Sequence, residues 1–196
     1  MNKLSKRYPL TSRCRDGDIE LKLFTGDHRA AMQQFAQSLP EHDLLFLKRN
    51  IREDKVLDAW INSVETGEVA SVIACRGDTI LGCNSLIIDK WSWSSHVGEV
   101  RVLVDASMRK QGLGRLLIQE CFIAGLLLGL EKLIAKMTVD QDTAITVFEE
   151  MGFTTEALLK DHVRSQSGEK YDLLMMGQDV EQFQSRKEMY GVNEAF

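Results

Sequence analysis

Polar and apolar residues alternate from Asp18 to Phe24, the period of a half-buried strand. Thr25-Gly26-Asp27 follows as a turn and a helix cap. Ala31, Phe35 and Leu39 fall at helical spacing, which predicts a helix over residues 28–38 that Pro40 stops. Val56, Ala59, Trp60 and Val64 share one face of a second helix over 56–64, closed by Gly67. Two apolar stretches, 69–75 and 80–89, flank Arg76-Gly77-Asp78-Thr79 and read as a hairpin. A valine-rich strand is predicted over 98–105 and a long helix over 112–130. The helix carries Leu116, Leu117, Cys121, Ala124 and Leu128 on one side and Ile118, Phe122 and Leu126 near the other, so it is covered on most sides. A strand over 132–139, a helix over 143–150 closed by Gly152, and strands over 153–163 and 171–177 complete the pattern.

Antiparallel hairpins alternating with helical crossovers define an α/β (α+β) class: a mixed, mostly antiparallel twisted sheet with flanking helices. The chain has 196 residues, enough for one domain with a real core. No linker or internal repeat divides it. The expected organisation is a basic N-terminal tail at 1–15, a single domain at 16–180 and a C-terminal extension at 181–196.

The net charge is −5, but residues 1–15 hold Lys3, Lys6, Arg7, Arg13 and Arg15 and no acid. The body is therefore strongly acidic, which argues against a broad nucleic-acid surface. It leaves room for a small anion site built from backbone amides. The basic start reads as a solvated tail. Cys14, Cys75, Cys83 and Cys121 form no CxxC pair, which argues against structural zinc and for free thiols. The first 30 residues lack the apolar core of a signal peptide, and the longest apolar stretch, 121–130, is shorter than the roughly 20 residues that span a bilayer. The expectation is a cytoplasmic protein with no membrane partner and no metal, as a monomer or homodimer.

The chemistry concentrates in Val102-Leu-Val-Asp-Ala-Ser-Met-Arg-Lys-Gln-Gly-Leu-Gly-Arg115. A strand runs into a basic, glycine-containing loop that opens a helix. Successive backbone N–H groups and the free amides of the helix start then converge on one place. Gly112 and Gly114 let a ligand approach the backbone, and Arg109, Lys110 and Arg115 add positive charge. The ligand should carry phosphates. Glycines serving only tight helix entry fit the motif alone equally well. The mononucleotide loop and the dinucleotide fingerprint are both missing.

Arg109-x-x-Gly112-x-Gly114 after this strand resembles the acetyl-CoA loop of the GCN5-related N-acetyltransferases. A second block, Gln141-Asp-Thr-Ala-Ile-Thr-Val-Phe-Glu-Glu-Met-Gly-Phe153, resembles that family's next conserved segment, one helix and one strand later. The element order matches over about residues 18–178. The resemblance implies the family's acyltransferase fold and an acetyl-CoA-dependent N-acetyltransferase acting on a primary amine, small molecule or protein, by direct attack in a ternary complex. It implies that amides of Arg109, Lys110, Gln111, Gly112, Leu113, Gly114 and Arg115 hold the pyrophosphate. The backbone of Leu103 and Val104 would pair with the pantetheine arm, an N–H near Val104 would polarise the acetyl carbonyl, and the helix carrying Gln141, Ala144 and Phe148 would close over the thiol. The family's asparagine is Gln141 here, and its thiolate-protonating tyrosine is Phe148, which has no hydroxyl. A non-catalytic acyl-CoA sensor or scaffold is therefore the alternative.

An acceptor ammonium must lose a proton before attack. Glu99, on the strand entering the loop, is the first candidate base, against a plain salt-bridge role. Alternation puts Glu99, Arg101 and Leu103 on one face of that strand. His96 is the second candidate. Tyr171 could supply the missing phenol. Asp140 and Asp142 are further acids near the cleft, His162 and Asp161 lie in a region that often touches substrate in this family, and Trp91 and Trp93 could form an aromatic wall or pack in a strand or dimer.

Overall fold

Eight strands form one sheet in the computed structural model, which describes residues 2–47 and 49–180. The elements are α1 (Asn2–Ser5), β1 (Leu10–Cys14), β2 (Gly17–Leu23), α2 (Arg29–Ser38), α3 (Asp54–Glu65), β3 (Val69–Arg76), β4 (Thr79–Ile88), β5 (Val97–Val104), α4 (Leu113–Leu128), β6 (Lys132–Thr138), α5 (Asp142–Glu150), β7 (Thr154–Arg164) and β8 (Lys170–Asp179). The order across the sheet is β1-β2-β3-β4-β5-β6-β8-β7. Every neighbouring pair is antiparallel except β5 and β6. This is the mixed, mostly antiparallel sheet that the hydrophobic pattern predicts.

Helices cover both faces, which is why β4 is buried almost continuously rather than at alternate residues. On one face Val100, Leu133 and Met176 share a core with Ile118 and Phe122 of α4. On the other, Ile73, Cys83 and Leu103 share a core with Met32 and Phe35 of α2 and Leu57 of α3. A third cluster joins Ile19, Leu21 and Val72 to Met108, Leu113 and Leu117 at the start of α4.

Residues 1–15 differ from the expected solvated tail. β1 pairs antiparallel with β2 from Leu10↔Leu21 to Cys14↔Gly17. Leu4 and Cys14 are buried. Arg7 donates to both oxygens of Glu120 on α4, at 2.9 and 2.8 Å, and the Tyr8 hydroxyl donates to the same carboxylate. The composition hid an amphipathic edge strand, because its exposed positions are polar or charged. The sheet therefore begins before residue 16. Residues 181–196, expected as an extension, lie outside the described residues.

The break in the sheet positions the site. β5 and β6 pair only from Val97↔Lys132 to Val100↔Ala135. Beyond that point β5 stays with β4 as far as Val104↔Gly82, and β6 stays with β8 as far as Thr138↔Leu173. A wedge-shaped gap opens between Arg101–Val104 on one wall and Lys136–Thr138 on the other.

Candidate functional site

The loop beside this gap is hung between two buried anchors, Met108 and Leu113. Asp105 starts it by accepting the Ser107 N–H at 2.9 Å and hydroxyl at 2.6 Å, and these bonds hold its carboxyl below the ordinary carboxylate range. Lys110 and Gly112 then take left-handed backbone conformations, at φ 61° and 91°. The first bond of α4 runs from the Leu116 N–H to the Gly112 carbonyl at 3.1 Å. The amides of Leu113, Gly114 and Arg115 precede it, so the helix offers them to a ligand, whereas the Arg109 and Gln111 amides, also expected in the cradle, are given to the Ala106 and Met108 carbonyls at 3.4 and 3.3 Å.

Space over the two glycines agrees with that use. A Cβ on Gly112 would meet nothing within 4 Å, and one on Gly114 would meet only a Val104 methyl at 3.8 Å. Packing does not demand glycine at 114; the open room there fits a phosphate lying against bare backbone. The cations are less free than the sequence suggests. Arg109 pairs with Asp43, and Arg115 with Glu150 at 2.7 Å. Lys110 has no ion pair among the described residues. The Gln111 carbonyl accepts the Arg15 N–H at 3.2 Å, which ties the loop to the N-terminal segment.

On the β5 wall, the Asp105 N–H donates to Leu81 of β4 at 2.9 Å, and the Leu103 carbonyl crowds Gly82 of β4. N–H and C=O directions alternate along a strand, so those of Val102 and Val104 point into the gap. The Leu103 backbone, expected to pair with the pantetheine arm, is instead turned to β4, because alternation puts its N–H and C=O on the same side as those of Asp105, and its side chain is buried in the α2–α3 core. On the far wall Gln141 precedes α5, and its carbonyl accepts the Ala144 and Ile145 N–H groups at 2.9 and 3.0 Å. Ala144 is half-buried against the α4 core. Phe148 is spent on packing: it is buried, edge-on to Phe153 with ring centroids 4.9 Å apart.

The three candidate proton carriers lie in different places. Glu99 sits just before the split, on the face away from α4. Both its oxygens are taken: Oε1 accepts from Arg101 Nε and Nη2 at 2.9 and 2.7 Å, and Oε2 accepts from Lys136 at 2.9 Å. Burial would raise its carboxyl, but the Lys136 hydrogen bond and the Arg101 charge outweigh burial and lower it. That makes a fixed anion rather than a ready proton acceptor.

His96 is not at the gap. It precedes β5 at the closed end of the β5–β6 pair, where its carbonyl accepts the Glu131 and Lys132 N–H groups, about 13 Å of strand from Val100. Tyr171 lies at the open end, but its hydroxyl donates to Glu169 at 2.7 Å, which raises its pKa. Its ring stacks edge-on against His42 at 5.3 Å. Sequence reasoning missed His42, which follows Pro40 in a segment without periodicity. His42 Nε2 lies 3.0 Å from Asp140 Oδ2, so Asp140 does reach the site. His162 lies on the outer edge strand β7, within an irregular stretch of its pairing where Asp161 takes φ 51°. Trp91 and Trp93 stand fully exposed before β5.

All four cysteines are buried and free. Burial pushes the Cys83 thiol up to about 12 and raises Cys121 as well. Among the described residues no group of three or more His, Cys, Asp or Glu is arranged to hold a metal ion, and no helix is long and apolar enough to cross a membrane.

Compared by sequence, no curated protein matches the chain. Solved structures share its fold. An N-acetyltransferase from Staphylococcus aureus Mu50 superposes with a TM-score of 0.73 at 14% identity, covering 83% of this chain and 98% of that one. A spermidine N-acetyltransferase from Vibrio cholerae, solved with CoA and spermine, gives 0.71 at 15%, covering 85% and 98%. A Salmonella typhimurium protein solved with its cofactor acetyl-CoA gives 0.68 at 16%, covering 83% and 94%. The acetyltransferase (GNAT) family model matches residues 30–153, from α2 through the loop and the gap to the end of the second motif. With that span matched and the split sheet in place, the chain belongs to the GNAT acetyltransferase family.

Proposed function

We propose that the protein transfers the acetyl group of acetyl-CoA to a primary amine by direct attack in a ternary complex. Family membership supports acetyl-CoA-dependent acetyltransferase activity in general. The observation that carries the finer reading is the gap beyond Val100 and Ala135, which opens beside a loop with unfilled room over Gly112 and Gly114. In this reading the amides of Leu113, Gly114 and Arg115, with Lys110 nearby, hold the pyrophosphate. The Val102 and Val104 backbone groups take the place of the missing β6 partner and pair with the pantetheine arm. An N–H near Val104 polarises the thioester carbonyl as charge develops on its oxygen. Gln141 and Ala144 flank the arm from the other wall. The raised thiols argue against a cysteine-bound intermediate and so favour direct transfer.

The acceptor is a primary amine, and the acidic body favours a cationic one by its field. Spermidine, the substrate of the Vibrio cholerae neighbour, belongs in the first panel with propylamine, lysine, aminoacetonitrile and a peptide with a free N-terminus. Four unbridged thiols support the cytoplasmic placement.

A second reading, a coenzyme binder without turnover, is favoured by the burial of Phe148 at the tyrosine position. One experiment separates the two. Acetyl-CoA is incubated with each amine and thiol release is followed, while calorimetry measures coenzyme A binding. Amine-dependent thiol release supports the enzyme; tight binding with no release from any amine leaves the binder.

A further inference from the structure

Residues 41–43 join elements that are far apart in the chain. Glu41 accepts the Gln166 N–H, in the β7–β8 link, at 2.8 Å. His42 pairs with Asp140, just past β6. Asp43 pairs with Arg109, in the loop past β5. The segment thus spans the open end of the gap, from the coenzyme loop to the turn that starts α5.

An acceptor amine meets a chemical requirement here. Its ammonium has no lone pair to attack with until a proton leaves. Glu99 has both oxygens occupied by cations. The Tyr171 hydroxyl is given to Glu169. The four thiols are buried. Of the histidines, His96 lies at the closed end of the parallel pair, His162 on the outer strand, and His28 is bonded to Thr25 at the start of α2 through Nδ1. His42 remains, and it is the one held beside the gap.

We infer that His42 accepts the proton of the acceptor ammonium, with Asp140 as the positioning residue that fixes its ring. Nε2 faces the Asp140 carboxylate, so Nε2 carries the hydrogen and Nδ1 presents its lone pair. The Tyr171 ring packs against the imidazole and limits its rotation. The charged and titratable groups around it are Asp140 past β6, Tyr171 and its partner Glu169 on the β7–β8 hairpin, and Glu41 and Asp43 on its own segment, the latter neutralised by Arg109. With Asp43 neutralised, the carboxylates of Asp140, Glu41 and Glu169 leave this surround acidic.

The acceptor ammonium gives one proton to Nδ1, and its nitrogen lone pair forms the bond to the acetyl carbon. The carbon–sulfur bond breaks with its electron pair on sulfur. The nitrogen then gives up a second proton as the amide forms, and one proton ends on the coenzyme thiolate. His42 passes the first proton to water.

This inference rests on the acetyltransferase reading, and its test separates the two. Wild type, His42→Gln, His42→Ala and Asp140→Asn are assayed with acetyl-CoA and the amine panel, with coenzyme A affinity measured by calorimetry. His42 is 37% exposed, so its variants should fold. With spermidine or propylamine, His42→Gln should lose about 100-fold or more in kcat. Coenzyme A affinity should stay within about twofold of wild type. With aminoacetonitrile, a primary amine already neutral near neutral pH, the loss should shrink to a few-fold. Added imidazole should restore part of the His42→Ala rate. Undiminished kcat in His42→Gln with the alkyl amines, or an equal loss with aminoacetonitrile, overturns the role of His42 while leaving the enzyme reading intact. A wild type that releases no thiol with any amine overturns both.

Discussion

On the β5 side of the gap, the glycine loop is strung between Met108 and Leu113, whose side chains are buried in a core shared with β2 and β3. Residues 41–43, which bridge from that loop to the turn past β6, are held by ion pairs whose side chains are a quarter to a half exposed. Burying a Met or Leu contributes about 1.5–3 kcal/mol, whereas an exposed ion pair contributes about 1 kcal/mol or less. The glycine loop is therefore rigidly framed, whereas residues 41–43 rest on weak, exchangeable contacts; on the proposed reading these are the coenzyme side and the acceptor side. A cofactor common to a family suits the first; an acceptor that varies within it suits the second.

Four substitutions test this contrast. The largest effect is expected beneath the coenzyme side. Arg7→Ala leaves Glu120 of α4 buried with the Tyr8 hydroxyl as its one remaining hydrogen-bond donor among the described residues. Stability should fall by about 3 kcal/mol in urea, and Tm by roughly 6–12 °C. A change under 1 kcal/mol would mean that α4 does not depend on the N-terminal segment. Next, Gly112→Glu puts a charged side chain at φ 91° over the amide cradle. Coenzyme A should bind at least about 100-fold more weakly, about 2.7 kcal/mol by calorimetry. Unchanged affinity would remove the loop from the site.

Glu99→Gln tests the gap itself. The Glu99 carboxyl is lowered in the fold, so its stabilisation is fully present above the ordinary value of 4.5 and disappears as pH falls through the lowered value. The variant should be less stable than wild type by about 1.5 kcal/mol near neutral pH, with the two converging in strong acid. A gap that widens on acidification would contradict the clamp. The smallest effect belongs to the acceptor side. Asp43→Asn should change stability by less than about 1 kcal/mol and, by releasing Arg109, tighten coenzyme A by no more than about fivefold. A large loss of coenzyme affinity would show that the two sides are one socket.

The same contrast governed what could be read in advance. The geometry of the glycine loop was legible because its cause is local: a strand, a glycine where φ turns positive, and a helix start, all within about fifteen residues. The long helix was legible because apolar residues ring it. His42 was not, because Pro40 ends the periodic stretch before it and Asp140 is supplied by a distant turn. Glu99 was placed on the right face by alternation, but its clamp needs Lys136, 37 residues away. β1 was missed because an edge strand keeps polar residues on its open positions, and the partner that explains Arg7 is 113 residues distant. Charge composition gave the opposite impression, of a chain end left in water.

The interrupted pairing of β5 has a consequence for hydrogen exchange. Leu103 and Asp105 turn toward β4, while Val102 and Val104 turn toward the gap. Amides of one strand should therefore exchange on two timescales: slow at Arg101 and Leu103, fast at Val102 and Val104, and slow again at Gly98 and Val100, where β6 closes the ladder. Such a comb of alternating protection, confined to the last half of a central strand, is the solution fingerprint of a sheet left open for another molecule's amides.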